Sequence, residues 1–221
     1  MRYFHQNLKS LIKFLGIVIA ISLAFVAGSA AQEAPDVLVK RVSQEVLDIA
    51  KTDKAIQGGN QKHVFELVET KVFPHVDFQR TTAMAAGRYW REATPEQQQQ
   101  LANEFRQLLM HTYAGALARV KDQKLVFKPM RDDPSATRVV VRSEVVQPGD
   151  APIQLDYRLE KTSSGWKIYD LNVLGAWLVE TYKSTFASEI GKSGIDGLIK
   201  TLAEKNKKLA AGRSKVAAKP S

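Results

Sequence analysis

The sequence predicts an α+β domain in which helices pack on one face of a strongly twisted, four-stranded antiparallel sheet. Apolar residues recur at three- and four-residue steps as far as about Val120, which is typical of helices, and then at two-residue steps, which is typical of strands. The strand-like segments are joined by short turns, which favour antiparallel pairing. A helical period returns after Trp177.

The N-terminal half has the pattern of four helices. The first two are "PDVLVKRVSQEVLDIAKTDKAI" and "HVFELVETKVFPHV", and Asp77 is expected to cap the third, "FQRTTAMAAGRYW". The fourth has the clearest start: Thr94 is a typical N-cap, Pro95 suits the first helical position, and Gln97 completes a capping box.

Four strand-like segments follow: "KLVFKPM", "TRVVVRSEVV", "IQLDYRLE" and "GWKIYDLNV". The last one is unusual, because strict alternation places Trp166 and Ile168 on one face and Tyr169, Leu171 and Val173 on the other. An ordinary surface strand alternates apolar with polar residues. We therefore expect both faces of this strand to be covered.

The C-terminal part is predicted to hold two more helices. Leu178, Tyr182, Phe186 and Ile190 form an apolar stripe at helical spacing, and Ser193 is expected to cap a final helix over "GIDGLIKTL". From about residue 206 onward the chain is rich in Lys, Ala, Gly, Ser and Pro, which predicts a basic disordered tail over residues 206–221.

Residues 1–31 have the pattern of a secretory signal peptide. A basic start precedes the apolar run Phe14–Gly28, and small residues at Ser29 and Ala31 suit cleavage after Ala31. The alternative is an uncleaved membrane anchor, but the run of about 15 residues is shorter than the roughly 20 that a spanning helix needs. The predicted mature protein is thus exported, with a single domain over residues 32–205.

Composition limits the function classes. The chain has no cysteine, so the exported domain has no disulfides and relies on its own apolar core. The net charge is +9, but the excess lies in the signal peptide and after Lys200, while basic and acidic residues balance between Gln32 and Ile199. Nucleic-acid binders usually carry a basic face on the domain itself, so nucleic acid is not an expected partner.

Few residues suggest catalysis. His63, His75 and His111 have no metal-ligand spacing, and no nucleophile or phosphate-loop motif is present, so no metal site is predicted. Asp170 is the exception: strict alternation places it with Trp166 and Ile168, and an apolar setting would raise the pKa of its carboxyl. Asp170 would then be the general base of a small isomerase or dehydratase. The other interpretation is an outward-facing or helix-capping Asp170.

Three segments together resemble the MlaC family of periplasmic phospholipid-binding proteins, also called the toluene-tolerance family. They are "FPHVDFQRTTAMAAGRYWREATPEQQQQLANEFRQLLMHTYAGAL", "GWKIYDLNVLGAWLVETYKSTFASEI" and "GIDGLIKTL", and the resemblance runs from about Pro35 to Leu202. Two places depart from the family's pattern. Gly175-Ala176-Trp177 stands where Gly-Val-Ser is frequent, and Lys183 stands where an arginine is frequent.

The resemblance implies a carrier rather than an enzyme. It implies a cone-shaped fold similar to that of nuclear transport factors, with a deep apolar pocket between sheet and helices. The pocket would hold the acyl chains of a phospholipid and leave the head group at the mouth. The implied partners are phospholipid, an outer-membrane lipoprotein–porin complex, and an inner-membrane ABC transporter complex with its substrate-binding ring. A monomer without cofactor is expected.

The lining of that pocket is assigned to apolar residues of the helix stripes and strand faces, together with Gly175, which is expected to keep the mouth free of a side chain. The residues are Val72, Phe73, Val76, Phe78, Met84, Leu101, Phe105, Leu108, Leu109, Tyr113, Val139, Val141, Val145, Leu155, Tyr157, Leu159, Ile168, Leu171, Val173, Gly175, Trp177, Leu178, Tyr182, Phe186, Ile195 and Leu198.

Overall fold

The computed structural model describes residues 32–133 and 135–217, and the chain from Glu33 onward forms one unit. The predicted signal peptide, residues 1–31, lies outside the described residues. The α+β prediction is confirmed: the described part consists of six α-helices and an antiparallel sheet. None of these helices combines the length and the apolar run that a bilayer crossing demands.

Helices occupy the first half of the domain. Short π- and 3-10-helical segments extend three of them and turn the chain into the next element. The elements are α1 (Pro35–Thr52), α2 (Lys54–Gln57), α3 (Gln61–Leu67) with its π-helical segment Val68–Val72 and 3-10 turn Phe73–His75, α4 (Phe78–Ala86) with 3-10 turn Gly87–Arg91, and α5 (Pro95–Tyr113) with 3-10 turn Ala114–Arg119.

The helix starts follow from the caps in the sequence. The carboxylate of Asp77 accepts a hydrogen bond from the backbone N–H of Arg80 at 2.8 Å, as predicted. The capping box of α5 is confirmed, because Thr94 Oγ1 accepts from the Gln97 N–H while Gln97 Oε1 accepts from the Thr94 N–H. A cap of this kind stabilises a helix by about 1 kcal/mol.

The sheet has five strands in chain order, all antiparallel, where four were predicted. The strands are β1 (Lys124–Phe127), β2 (Arg138–Val146), β3 (Ile153–Thr162), β4 (Gly165–Val173) and β5 (Ala176–Trp177). The extra strand β5 has only two residues, which pair with Asn172 and Val173 after a tight turn. Sequence alternation cannot detect a strand of this length.

The prediction of strict alternation along β4 is wrong, because the strand contains a β-bulge. Leu159 of β3 lies opposite Ile168, whereas the preceding Arg158 lies opposite Asp170, so Tyr169 is the extra residue. A bulge shifts every later side chain to the other face. Leu171 therefore shares the apolar face with Ile168, and Asp170 lies on the opposite face.

The last helix, α6 (Leu178–Ala217), is bent at Gly194, whose φ of 72° and ψ of −177° are not helical. Two helices were predicted around this point, but the predicted capping by Ser193 is wrong. Its Oγ donates to the Glu189 carbonyl at 3.0 Å instead. Ser193 Oγ also lies 2.0 Å from where a Cβ on Gly197 would be placed, so this bend needs glycine at position 197.

The prediction of a disordered tail from residue 206 is wrong for the residues up to Ala217, which continue α6. Asn206 is buried, and its Nδ2 donates to the Glu104 carbonyl of α5 at 2.9 Å. Leu209 packs on the core. The folded domain therefore extends beyond the predicted boundary at residue 205, while residues 218–221 lie outside the described part.

Candidate functional site

The interior of the domain contains three apolar clusters. The sheet cluster joins α1 to one face of the sheet, and its buried members are Leu38, Val39, Val42, Val139, Val141, Tyr157, Leu159 and Ile168. The helix cluster joins α4, α5 and α6, and its buried members are Ala85, Ala86, Leu101, Phe105, Leu108, Phe186, Ile190, Leu198 and Leu202. The N-terminal cluster consists of buried residues Val46, Ala50, Ile56, Val64, Leu67, Val68, Met110 and Ala114.

The predicted lining residues divide among these clusters. The sheet cluster takes Val139, Val141, Tyr157, Leu159 and Ile168, with Val76, Leu155 and Leu171 packed against it. The helix cluster takes Leu101, Phe105, Leu108, Phe186 and Leu198, with Leu109, Tyr182 and Ile195 against it. Val72 and Phe73 pack on the N-terminal cluster.

The other predicted lining residues belong to none of the three clusters. Leu178 is buried, and Tyr113 and Gly175 are exposed. Phe78, Met84, Val145, Val173 and Trp177 are half-buried. The φ of Gly175 is 87° and a Cβ there would have no neighbour within 4 Å, so backbone conformation rather than space at a pocket mouth accounts for this glycine.

The sheet cluster is apolar except for the hydroxyl of Tyr157. The hydroxyl of Tyr157 lies 3.1 Å from Ser43 Oγ on α1, and this bond satisfies the only polar atom of an otherwise apolar side chain. Burial raises the pKa of the Tyr157 hydroxyl. Tyr157 therefore stays neutral and links the sheet to α1.

The helix cluster is organised by aromatic rings. Phe105 makes edge-to-face contacts with Tyr182 and Phe186, each with ring centroids 4.9 Å apart. Burial, followed by the proximity of Tyr113, raises the pKa of Tyr182 to about 12. Such ring pairs add about 1 kcal/mol each beyond their burial, so this cluster holds α5 firmly to α6.

The segment from Phe73 to Phe78 lies where the clusters approach one another. Phe73 packs on the N-terminal cluster and stacks edge-to-face on Phe78 at 4.8 Å, while Val76 packs on the sheet cluster. Val76 also forms a parallel bridge with Ile168, and the Asp77 N–H donates to the Ile168 carbonyl at 2.8 Å. The "FPHVD" motif thus attaches the helical layer to one edge of β4.

Asp170 is a structural residue. It is 3% exposed, and its Oδ1 accepts hydrogen bonds from the N–H groups of Leu171 at 2.9 Å and of Val179, at the start of α6, at 3.0 Å. Its Oδ2 pairs with Arg158 at 3.1 Å. Both oxygens are engaged in holding β3, β4 and α6 together, so the helix-capping interpretation of Asp170 fits this geometry.

Arg158 connects this ion pair to Trp177. Its guanidinium carbon lies 3.8 Å from the centre of the Trp177 ring, a distance typical of a strong cation–π contact. Trp177 is one of the residues that depart from the resembled pattern. Its ring covers Arg158 on the polar side of the sheet, so it does not lie among the clustered apolar side chains.

A cleft of about 450 Å³ opens beside the Phe73–Phe78 segment. Its apolar lining is Val76, Phe78 and Ala102, and its polar lining is Asp77, Gln79, Gln99, Asn103, Arg106, Thr162, Ser163, Ser164 and Lys167. Sequence reasoning missed the polar residues. The available signal was the stripe Gln99, Asn103 and Arg106 on α5, at steps of four and three residues.

A second cleft, of about 460 Å³, lies beside the end of β1 and the middle of β2 and is lined by Lys128, Pro129, Arg131, Asp132 and Arg142. It contains no member of the three apolar clusters. Among the residues that the structure describes, no group of three or more His, Asp or Glu side chains is placed to hold a metal ion.

Comparison with known proteins decides the family. A profile of the MlaC protein family matches residues 40–204. The chain belongs to the MlaC family. The predicted resemblance is therefore confirmed over nearly the whole described domain.

Two members of known name are similar in sequence. The intermembrane phospholipid transport system binding protein MlaC of Haemophilus influenzae is 24% identical over 199 residues, covering 88% of this chain and 93% of that protein. The toluene tolerance protein Ttg2D of Pseudomonas putida is 26% identical over 182 residues, covering 82% of this chain and 84% of that protein.

A solved structure extends the comparison to the fold. It is the phospholipid-binding protein from Ralstonia solanacearum in complex with a phospholipid, 49% identical in sequence, with a TM-score of 0.77. The alignment covers 80% of this chain and 99% of that structure. A protein with this fold has thus been solved with a phospholipid bound.

Proposed function

We propose that this chain is a phospholipid carrier of an intermembrane transport system and holds the acyl chains inside the domain, between the sheet and the helices. The phospholipid complex of the Ralstonia solanacearum protein carries the proposal, because that protein has a similar fold and half of its sequence in common. The names of the two relatives support the same function.

The divided interior suggests where the chains go. The sheet cluster and the N-terminal cluster are separate groups of side chains, and Phe73 and Val76 lie at their junction. Acyl chains that entered there would replace contacts between apolar side chains by contacts with lipid, at little cost in free energy. Each methylene kept from water is worth about 0.8 kcal/mol, so escape into water is slow while transfer to another apolar site is nearly neutral.

Location and partners follow from the same function. A cleaved signal peptide over residues 1–31 would deliver the protein to the periplasm. There it would receive or deliver lipid at an outer-membrane lipoprotein–porin complex and at an inner-membrane ABC transporter complex with its substrate-binding ring. The described domain supplies the apolar interior that a lipid needs when crossing an aqueous space.

The enzyme alternative has less support. A general base needs a free oxygen that faces the substrate, whereas Asp170 accepts two backbone hydrogen bonds through Oδ1 and pairs with Arg158 through Oδ2. Family membership favours the carrier as well.

Native mass spectrometry of protein purified without detergent tests the proposal. We expect an added mass that matches a diacyl phospholipid, with the same lipid recovered by solvent extraction. A bare protein mass, together with no uptake from phospholipid vesicles, would contradict the proposal.

A matched pair of variants locates the pocket. Val141→Phe fills the sheet cluster and Leu198→Phe fills the helix cluster, at two positions that are both fully buried. Both substitutions overpack the core and cost about 1–3 kcal/mol. We expect Val141→Phe to lower lipid occupancy and Leu198→Phe to leave it near the wild-type value. Equal losses of occupancy would argue against the sheet cluster as the acyl-chain site.

A further inference from the structure

We propose that the 450 Å³ cleft beside the Phe73–Phe78 segment binds the phosphodiester of the lipid head group through Arg106 and Lys167. The inference rests on the proposed function, and it deepens that function by assigning a head-group site and two residues that recognise phosphate.

The cleft has an apolar side and a polar rim. Val76 and Phe78 belong to the segment where the sheet cluster and the N-terminal cluster approach each other, and Ala102 of α5 is buried beside them. The rim consists of hydroxyl, amide and cationic side chains, together with the carboxylate of Asp77, whose Oδ1 accepts the Arg80 N–H at the start of α4. This arrangement matches the one region of a phospholipid where a polar phosphate joins two apolar chains.

The two walls of the rim come from different layers of the fold. One wall is the α5 stripe of Gln99, Asn103 and Arg106, and the other is the β3–β4 turn with Lys167 of β4 beside it. A ligand held between them bridges the helical layer and the sheet. Its apolar part would then continue past Val76 toward the interior.

The two cations are fixed in place without being fully neutralised. Arg106 lies over the Phe73 ring at 4.4 Å, and its Nη2 is 3.5 Å from Glu69 Oε1, too long for a strong charge-assisted hydrogen bond. Lys167 Nζ donates to the Pro74 carbonyl at 2.7 Å, and within the described ranges it forms no ion pair. A guanidinium and an ammonium that line the same cleft suit a phosphate, since the guanidinium donates in a fork and the ammonium adds a point charge.

The volume of the cleft suits a lipid head group but not a whole phospholipid. Pockets that enclose a drug-sized ligand measure about 300–1,000 Å³, and this cleft is at the lower end of that range. It accommodates a glycerophosphate head group, and the two acyl chains must lie elsewhere. The second cleft has a similar volume and is also lined by cations, but it contains no member of the three apolar clusters, so it serves as the control site.

The test is competitive loading from vesicles that contain equal amounts of a phospholipid and diacylglycerol, read by native mass spectrometry. We expect the wild-type protein to load the phospholipid in preference. We expect the double variant Arg106→Gln/Lys167→Gln to lose that preference by about tenfold or more, because two charge-assisted hydrogen bonds are lost, while still loading diacylglycerol. The control variant Lys128→Gln/Arg142→Gln, which removes two cations from the second cleft, should keep the wild-type preference.

Several outcomes would overturn the inference. An unchanged preference in the cleft variant, or an equal loss in the control variant, would show that the cleft does not read the phosphate. Saturable binding of glycerol 3-phosphate at this cleft as tight as that of the lipid would identify an anion site unrelated to the cargo. Failure of the wild-type protein to load any phospholipid would instead refute the proposed function. The single variants Lys167→Gln and Arg106→Lys, with thermal melting as the folding control, keep the test valid should the double variant unfold.

Discussion

Asp170 and Arg158 form an ion pair of 3.1 Å across β3 and β4, in which the carboxylate is buried and the guanidinium is covered by the Trp177 ring. The same carboxylate accepts the N–H of Val179 at the start of α6. One side chain therefore ties two strands and a helix together at the point where the sheet ends.

Replacing Asp170 tests this structural role. Asp170→Ala leaves two buried N–H groups and Arg158 without their acceptor, so we expect a loss of about 3 kcal/mol in the free energy of unfolding. Asp170→Asn keeps an acceptor oxygen and should cost about 1 kcal/mol. Urea denaturation measures both values, and equal losses would show that the backbone bonds contribute little.

The raised pKa of Asp170 predicts that the stability of the domain depends on pH. Burial raises the pKa of its carboxyl above the ordinary value of 3.8, although the N–H groups of Val179 and Leu171 and the charge of Arg158 oppose the shift. The folded state then binds a proton more tightly than the unfolded state, so the stability that this group contributes is lost as the pH rises from its ordinary pKa to the raised one. Comparing denaturation of wild-type and Asp170→Asn proteins across that window isolates this contribution. A difference between the two that does not vary with pH would contradict it.

The turn between β4 and β5 holds a strained residue. Leu174 has a φ of 55° and is 71% exposed, so it occupies the left-handed region and its apolar side chain faces water. We expect Leu174→Asn to raise the free energy of unfolding by about 1 kcal/mol, because asparagine tolerates this conformation better. Thermal melting is the measurement. A lower melting temperature in the variant would show that the leucine side chain makes contacts worth more than the strain.

The bend of α6 depends on a missing side chain. A Cβ on Gly197 would lie 2.0 Å from Ser193 Oγ, so we expect Gly197→Ala to destabilise the domain by about 2 kcal/mol. Adding Ser193→Gly should recover part of the loss in a double-mutant cycle. The control is Gly191→Ala, where a Cβ meets nothing within 4 Å and helix propensity predicts a small gain. Equal effects at positions 191 and 197 would argue against the close approach.

The helical C-terminus predicts where the chain can be shortened. Deletion of residues 206–221 removes Asn206 and Leu209, which contact α5 and the helix cluster, and should cost about 2 kcal/mol. Deletion of residues 218–221 should leave the melting temperature unchanged. The two truncated proteins can be compared by differential scanning calorimetry. Identical melting temperatures would support the predicted end of the folded domain at residue 205.

Local signals in the sequence predicted where helices and strands lie better than how they pair and pack. Thr94 and Gln97 identified the start of α5 because a capping box is complete within four residues. The bulge at Tyr169 had no such signal. At the bulge, the strand contacts residues that are distant in the sequence. Thr81 Oγ1 donates to the Tyr169 carbonyl, and the Asp77 N–H donates to the Ile168 carbonyl.

The candidate site was predictable only in part for the same reason. Alternation and helical stripes identified many buried side chains, but they also included the exposed Tyr113, and they could not assign Val141 and Leu198 to different clusters. Lys167 and Arg106 are far apart in sequence and meet at one cleft through the packing of α5 beside the β3–β4 turn. Disorder was predicted for the C-terminal segment where the structure has a helix, because Lys and Ala are good helix formers and are also common in disordered chains.

The bulge in β4 separates the sheet into an apolar face and a face that carries Asp156, Asp170 and Asn172. Acyl chains held beside the apolar face, as proposed above, would leave the contacts of these polar side chains intact. The three side chains are each less than 5% exposed, so their role is inside the domain rather than in contact with a partner. The bulge therefore lets one strand face the apolar interior on one side and, on the other, hold the β4–β5 turn through Asn172 and the start of α6 through Asp170.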